Sequence, residues 1–207
     1  MLISNKHKFI FVHIYKNAGT SITEALRPFA LSSWQWKVHR ALKKRRIPSP
    51  FFEPHPFNSH IKASEIKNSL GEKNFKEYFS FAIVRNPWDW QVSLYRYMLK
   101  LETHHQHKLV KDLGSFEEYI KWRCENEVCY QKDFIYENNK LLVDFVGRYE
   151  TLDSDFNAIC SRIGISASLP KLNISNTQPY QTYYSENSKE LIRKAFNPDI
   201  QTFNYEF

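Results

Sequence analysis

Near the start of the chain, a lysine, a glycine and two hydroxyl side chains lie close together in the stretch FIFVHIYKNAGTSITEAL (Phe9–Leu26). Lys16 supplies a positive charge, and Thr20 and Ser21 supply hydroxyl donors on the far side of Gly19. Glycine has no Cβ, so the backbone there can bend close to a bound group. These residue types at this spacing predict a site for a phosphate-like anion, and the alternative is a plain strand-to-helix turn with a capping hydroxyl.

A second group of polar residues lies in the stretch FAIVRNPWDWQVSLY (Phe81–Tyr95). Arg85 follows an apolar run, and Ser93 lies on the predicted helix after it. A guanidinium binds phosphate with two parallel hydrogen bonds, and serine adds another. Because open α/β sheets bind ligands at the carboxyl ends of their strands, both groups are expected at the same edge as the Lys16 loop. The alternative is a salt bridge between Arg85 and Asp89.

The elements that must position these residues follow from apolar runs and helix signals. Short apolar runs rich in branched and aromatic residues predict buried strands, and amphipathic stretches between them predict helices. The predicted strands are Phe9–Ile14, Tyr78–Val84 and Leu141–Tyr149. The first two helices after strands are predicted over Thr20–Phe29 and Pro87–Leu101. Strands that alternate with helices indicate an α/β domain with a largely parallel sheet.

Further helices are predicted from their start and stop signals. SEIK predicts a helix start at Ser64, and Ser115 with Glu118 predicts a capping box. Gly164 is expected to end one late helix, and Pro198 to stop the last one.

Composition favours one folded domain over residues 1–207. Hydrophobic residues make up 42% and aromatic residues 16% of the chain. The net charge of +7 suits an anionic partner such as a nucleotide, nucleic acid, acidic polysaccharide or membrane surface, although a basic protein without such a partner has the same balance. The apolar run Phe9–Ile14 is far shorter than the roughly 20 residues of a membrane helix, and no signal peptide is visible, so a cytoplasmic protein without a membrane span is expected.

Cysteine and histidine spacing gives no support for a metal site. The 3 cysteines lack a second pair at zinc-site spacing and are too few for a disulfide framework. His104, His105 and His107 invite a metal interpretation, but adjacent histidines at a helix end do not share a face. The sequence therefore predicts no metal.

The two stretches HIYKNAGTSI and FAIVRNPWDWQVSLY, in this order and separation, resemble the two cofactor motifs of the carbohydrate sulfotransferases. The resemblance is closest to the branch with the heparan 2-O- and chondroitin/dermatan-type enzymes and their small bacterial relatives. It implies a P-loop-like, three-layer α/β domain whose central, largely parallel sheet is flanked by helices. It also implies the sulfuryl donor 3′-phosphoadenosine-5′-phosphosulfate (PAPS).

In that family, the first motif holds the 5′-phosphosulfate of PAPS and the second holds the 3′-phosphate. Carried over, the first motif comprises Lys16, Asn17, Ala18, Gly19, Thr20 and Ser21, and the second comprises Arg85 and Ser93. VDFVGRYETL (Val143–Leu152) and the ending DIQTFNYEF also resemble later segments of the family. Two positions depart from the pattern: Tyr15 stands where proline is common, and Trp90 where arginine is frequent.

Sulfuryl transfer to a hydroxyl needs a base and a group that stabilises charge on the leaving phosphate. Lys16 is placed for the second task. By its resemblance to the family's histidine base, His60 is the candidate for the first, with His55 and Glu53 in reserve. His13, inside the predicted strand, is expected to be a hydrogen-bonded core residue.

The acceptor is expected to be a carbohydrate or another molecule with a hydroxyl, and an acidic acceptor would suit the charge balance. The basic run Lys43–Arg46 is expected either to face solvent or to bind an acidic glycan, in which case Trp34 and Trp36 could stack on its sugar rings. The resemblance to the family's late cofactor loop implies that Asn173, Ser175 or Asn176 in the loop Lys171–Tyr184 closes over the nucleotide, and the alternative is a surface connection. The oligomeric state is left open.

Two other classes of function are weighed against this hypothesis. An ATP-dependent P-loop-like phosphotransferase needs G-x-x-x-x-G-K-[ST] and an acidic magnesium ligand, but here Lys16 precedes the glycine. A non-catalytic nucleic-acid-binding protein would use the basic, aromatic surface. The favoured hypothesis is a PAPS-dependent sulfotransferase that binds no nucleic acid and uses no metal.

Overall fold

A computed structural model of the chain describes residues 1–30, 60–170 and 178–207, together with the isolated positions 38, 41, 42, 45 and 47. The described residues group into two compact units. The sheet unit comprises those of Met1–Val84 and Phe134–Asn173, and the helical unit those of Arg85–Asp133 and Ile174–Phe207.

The sheet unit is built on four paired strands. In spatial order they are β1 (Leu2–Ser4), β2 (Phe9–Val12), β3 (Phe79–Val84) and β6 (Phe145–Arg148). β1 is antiparallel to β2, while β2, β3 and β6 run parallel, so that Phe11 pairs with Phe81 and Phe81 with Phe145. β2 is buried along its whole length, because side chains of both faces are covered.

Two helices cover one face of this sheet. They are α1 (Gly19–Ala30) and α7 (Leu152–Ile163). One core cluster joins alternate residues of the strands to the apolar stripes of both helices: Leu2, Phe9, Phe11, Phe81, Ile83, Ile22, Leu26, Phe156, Ile159 and Cys160. The predicted end of α7 is confirmed, since Gly164 follows it with φ 74°, a left-handed conformation that glycine adopts without a Cβ clash.

The described part of the sheet unit also contains shorter elements. α2 (Ala63–Leu70) and α3 (Glu72–Lys76) precede β3, and β4 (Tyr136–Glu137) pairs with β5 (Lys140–Leu141) in a hairpin. The helix predicted over residues 64–70 is confirmed, but it begins one residue earlier, so Ser64 lies inside its first turn and the residue before the helix is Lys62. The third predicted strand, Leu141–Tyr149, is also too long, because Leu141 belongs to the hairpin and β6 begins at Phe145.

The helical unit contains α4 (Pro87–Lys100), α5 (His107–Asp112), α6 (Phe116–Asn126), α8 (Glu186–Ala195) and α9 (Asn197–Phe203). Asn86 caps α4 by accepting a hydrogen bond from the Trp88 N–H at 3.0 Å, and Pro87 occupies the first turn. Ser115 caps α6 by accepting from the Glu118 N–H at 3.2 Å, which is one half of the predicted capping box. The other half is not formed, because the Ser115 N–H donates to the Leu113 carbonyl at 2.9 Å and the Glu118 carboxylate pairs with Lys121.

The helix that was predicted to stop at Pro198 does end before it, at Ala195. Pro198 also lies in the first turn of α9, a helix that the sequence pattern did not predict, where its missing N–H costs nothing. The predicted fold class is confirmed: a mixed α/β protein with a central, largely parallel sheet flanked by helices. Among the described residues, no helix combines the length and apolar character that crossing a bilayer requires.

Candidate functional site

The loop from β2 to α1 has an unusual backbone. Lys16 has φ 64° and Ala18 has φ 57°, so two residues with a Cβ adopt the left-handed region. Such conformations cost on the order of 1 kcal/mol each, and they persist where the surroundings impose them, often at ligand sites. Left-handed residues placed among others turn successive N–H groups toward one side, which is the geometry of an anion-binding concavity.

The start of α1 adds to this concavity. Its first i to i−4 hydrogen bond runs from the Ile22 N–H to the Ala18 carbonyl at 3.1 Å. The N–H groups of Gly19, Thr20 and Ser21 precede that bond and point out of the helix end, where the helix dipole is positive. The Thr20 side chain is exposed and that of Ser21 is buried. This arrangement of strand, turn and helix start supplies the N–H donors that an anion site needs, and anion binding there stays a prediction.

Asn17 fixes the loop to the sheet. Its side chain is 1% exposed, and its Nδ2 donates to the carbonyl of Ile83 in β3 at 2.9 Å. This hydrogen bond anchors the loop to β3.

Gly19 is required by a neighbouring ring. A Cβ built at this position would overlap the imidazole of His13. Gly19 itself has no positive φ, unlike Lys16 and Ala18. The expectation that the glycine serves the approach of a bound group is therefore incomplete, because the close approach seen in the protein is that of His13.

His13 and His60 form a contacting pair in the sheet unit. Their ring centroids are 4.5 Å apart at an angle of 61°, and Nδ1 of His60 lies 3.1 Å from the His13 carbonyl oxygen. The ring of Tyr15 packs edge-on against His60 at 5.7 Å. The candidate base thus contacts two residues that lead into the Lys16 loop.

Both histidines are held in the neutral form. Burial lowers the pKa of His13 to about 3, with smaller lowering effects from the Met1 ammonium and from His60. Desolvation also lowers the pKa of His60, while the hydrogen bond to the His13 carbonyl acts in the opposite direction. A neutral His60 at pH 7 has a lone pair and can accept a proton.

Arg85 lies in the helical unit, directly after the last residue of β3. Its Nε and Nη2 donate to the two oxygens of Asp89, both at 2.8 Å, which is the salt bridge left open as an alternative. The amide of Gln131 holds the main chain of Arg85, since Oε1 accepts from its N–H at 2.9 Å and Nε2 donates to its carbonyl at 2.8 Å. The backbone and the guanidinium of Arg85 are therefore both fixed.

Gln131 is fixed in turn by a buried carboxylate. Asp199 accepts from the main-chain N–H groups of Gln131 at 2.7 Å and Lys132 at 2.9 Å. Burial raises the pKa of Asp199 to about 6, against the lowering effect of these two hydrogen bonds. Sequence reasoning assigned no role to Gln131 or Asp199; no local signal marks Gln131, and Asp199 is the first residue of the family-like ending DIQTFNYEF.

Ser93 and Trp90 occupy different environments on α4. Ser93 is partly exposed and lies one turn beyond Asp89, so both are on the same side of the helix. Trp90 is fully buried and packs edge-on against Phe196 at 6.4 Å. The residue that departs from the family pattern is thus part of the core of the helical unit.

Comparison with known proteins identifies the chemistry. A sequence model of the sulfotransferase family matches residues 1–206. The chain belongs to the sulfotransferase family. An uncharacterized protein of Archaeoglobus fulgidus is 32% identical to this sulfotransferase over 106 residues, which cover 50% of this chain and 82% of that protein.

Family membership confirms the sulfotransferase prediction and decides against the phosphotransferase and the non-catalytic alternatives. The structure brings His60 and the Lys16 loop together in the sheet unit of this sulfotransferase. Arg85 and Ser93 belong to the helical unit, so one shared nucleotide site stays a prediction.

Several predicted residues of this sulfotransferase lie outside the described part of the chain. These are His55, Glu53, Trp34, Trp36, the run Lys43–Arg46 apart from Arg45, and the loop residues Asn173, Ser175 and Asn176. Their predicted roles are untested.

The cysteines and the clustered histidines His104, His105 and His107 make no metal site among the described residues. Cys124, Cys129 and Cys160 are free thiols. His104 stacks on His105 at 4.4 Å, and Nδ1 of His107 donates to the Met98 carbonyl at 3.0 Å. Within the described ranges, no group of three or more His, Cys, Asp or Glu side chains could hold a metal ion.

The partly buried His13 ring predicts a loss of stability in acid. Between pH 6.5 and about pH 3 the unfolded chain binds a proton at this ring and the folded chain does not, so stability falls as the pH drops below 6.5. From pH 7.5 to pH 5.0, the loss from this one group is expected to approach about 2 kcal/mol. Urea unfolding at both pH values measures it, with His13→Asn as the reference that cannot titrate there. Equal pH dependence in the two proteins would contradict the assignment.

Proposed function

We propose that this sulfotransferase moves the sulfuryl group of PAPS to a hydroxyl of a carbohydrate acceptor, by in-line transfer with His60 as the base. The observation that carries the proposal is the contact between His60 and the residues that lead into the Lys16 loop, His13 and Tyr15. A base beside an anion-binding loop is what attack on a phosphosulfate requires, since the acceptor oxygen must approach the sulfur from the side opposite the leaving phosphate.

The loop and the start of α1 would bind the 5′-phosphosulfate. The N–H groups at the helix start are donors for its oxygens, and Lys16 would stabilise the charge that develops on the leaving phosphate. Ala18 and Gly19 would contribute main-chain N–H groups, and the exposed Thr20 hydroxyl would add a hydrogen bond.

Arg85 and Ser93 would bind the 3′-phosphate of the same nucleotide, as the resemblance of the second motif implies. The salt bridge to Asp89 holds the guanidinium in one orientation but already uses its Nε and Nη2, so the 3′-phosphate would have to share this group with the carboxylate or displace it. The carbohydrate acceptor rests on the resemblance of the motifs, and the cytoplasmic location stays a prediction from the sequence.

Thermal unfolding with nucleotides tests the donor site. Adenosine 3′,5′-bisphosphate, the product left after transfer, is expected to raise the melting temperature by roughly 5 °C or more at 100 times its dissociation constant. ATP at the same concentration is expected to raise the melting temperature much less. The physical reason is that only the bisphosphate carries a 3′-phosphate for Arg85.

Arg85→Ala is expected to remove most of the difference between the melting-temperature shifts that the two nucleotides cause. Arg96→Ala, which removes a partly buried arginine of the same helix, is the matched control and is expected to keep it. Equal shifts with ATP and the bisphosphate in the unmodified protein would contradict the proposal. Transfer from labelled PAPS across a panel of glycans then identifies the acceptor.

A further inference from the structure

The hydrogen bond of His60 determines which of its ring nitrogens is available. Nδ1 lies 3.1 Å from the main-chain oxygen of His13. A carbonyl oxygen only accepts hydrogen bonds, so Nδ1 must carry the hydrogen. In the neutral ring, the lone pair is then on Nε2.

Two aromatic contacts restrict the orientation of the same ring. The His13 ring packs edge-on against it at 4.5 Å, and the Tyr15 ring does so at 5.7 Å. His60 itself is exposed, so contacts with neighbours, rather than deep burial, hold its side chain in this direction. His13 supplies two of these contacts, one from its carbonyl and one from its ring.

His13 is connected to the rigid parts of the sheet unit. Its ring stacks on Phe11 of β2 with centroids 5.6 Å apart at an angle of 20°, and Phe11 is in the core cluster. On another side, the ring fills the space that a Cβ of Gly19 would take. One residue therefore contacts the sheet core, the first residue of α1 and the candidate base.

We propose that His13 is a positioning residue, which holds His60 in the tautomer with hydrogen on Nδ1 so that Nε2 faces the acceptor hydroxyl as the proton acceptor. This inference rests on the proposed function, in which His60 is the base. As the acceptor oxygen forms its bond to sulfur, the bond from sulfur to the 5′-phosphate oxygen breaks, and that oxygen keeps the electron pair. The hydroxyl proton moves to Nε2, and the resulting imidazolium later loses it to solvent.

Nitrogen-15 NMR of the full chain, without donor or acceptor, tests the tautomer directly. At pH 7.5, the His60 signals are expected to show hydrogen on Nδ1 and none on Nε2, and His60→Ala assigns them by their loss. His13→Ala keeps the main-chain carbonyl but removes the ring that packs against the His60 imidazole, so that imidazole is expected to rotate away from the carbonyl and to give a mixture of tautomers. His13→Phe keeps an aromatic ring there and is expected to preserve the single form. Hydrogen on Nε2 in the unmodified protein would overturn the proposal.

Transfer kinetics test the consequence. His13→Ala is expected to lower kcat by about 10- to 100-fold with little change in KM for the donor, because misplacing the base affects the chemical step. His13→Phe is expected to recover most of this loss. His105→Ala, which removes an exposed histidine of the helical unit, is the matched control. A parallel loss in His13→Ala and His13→Phe would overturn the positioning role.

A second variant covers the case in which His13→Ala does not fold. Gly19→Ala leaves the His13 side chain present but takes the space its ring occupies, so it is expected to disturb the His60 tautomer as well. An unchanged His60 spectrum in Gly19→Ala would overturn the proposed coupling. If His60→Ala keeps full transfer activity, the role of His60 as the base and the positioning role of His13 are both contradicted. If His60→Ala is inactive but His60 carries its hydrogen on Nε2, only the positioning role of His13 is contradicted.

Discussion

His60→Ala is expected to lower kcat for sulfuryl transfer by about 10²- to 10⁴-fold, which is the range for losing a positioned general base. Donor binding is expected to change little, because the imidazole acts on the acceptor hydroxyl and not on the nucleotide. Initial rates with labelled PAPS measure the first quantity, and calorimetric titration with adenosine 3′,5′-bisphosphate measures the second. Together they separate a loss of chemistry from a loss of binding.

The pH profile gives the same experiment a second, independent readout. A base works only when it is unprotonated, so the rate falls as the pH drops through its pKa. Desolvation lowers the pKa of His60, so the acid limb of the unmodified enzyme is expected below pH 6.5 and is expected to vanish in His60→Ala. Full activity in His60→Ala would place the base elsewhere, and His55 and Glu53 would then be tested first.

The parts of the fold that the sequence predicts well are those set by local patterns. The apolar run of β2 and the amphipathic stripe of α1 give both elements within three residues of their observed limits. The cap at Ser115 and the left-handed end at Gly164 are also local signals, and both are confirmed. Each depends only on residues a few positions away in the chain.

The third strand shows where local apolar character misleads. The run from Leu141 looks continuous, but the hairpin of β4 and β5 uses its beginning, and Asn138 and Asn139 make the turn with φ 50° and 62°. Two adjacent asparagines are a recognised signal for such a turn, because asparagine tolerates the left-handed region. That signal was available in the sequence and was overlooked.

The candidate site depends more on distant contacts. Gly19 is a glycine because the His13 ring lies against it, and His60, 47 residues further along than His13, is held by the His13 carbonyl. Likewise, Gln131 holds the main chain of Arg85 from a position 46 residues away. Residue types and spacing predict which side chains carry the chemistry, but the groups that orient them come from parts of the chain that only folding brings near.

Replacing Lys16 is expected to lower kcat/KM for PAPS by about 10²- to 10³-fold, because a charge that stabilises the leaving phosphate acts mainly in the transition state. The left-handed backbone of Lys16 offers a way to separate this effect from stability. Lys16→Ala and Lys16→Gly both remove the ammonium group, but only alanine keeps a Cβ at φ 64°. The glycine variant is therefore expected to be the more stable of the two by about 1 kcal/mol, as measured by urea unfolding.

Equal and low transfer rates in these two variants, together with their different stabilities, would show that the ammonium group carries the chemistry and that backbone strain at this position does not. Lys6→Ala removes an exposed lysine of the same unit and is expected to leave both the transfer rate and the stability unchanged. A transfer rate close to that of the unmodified enzyme in Lys16→Gly would contradict the assignment, because the loop would then bind and activate the phosphosulfate through its N–H groups alone. Recovery of the rate in Lys16→Gly but not in Lys16→Ala would instead assign the loss to the backbone of the loop.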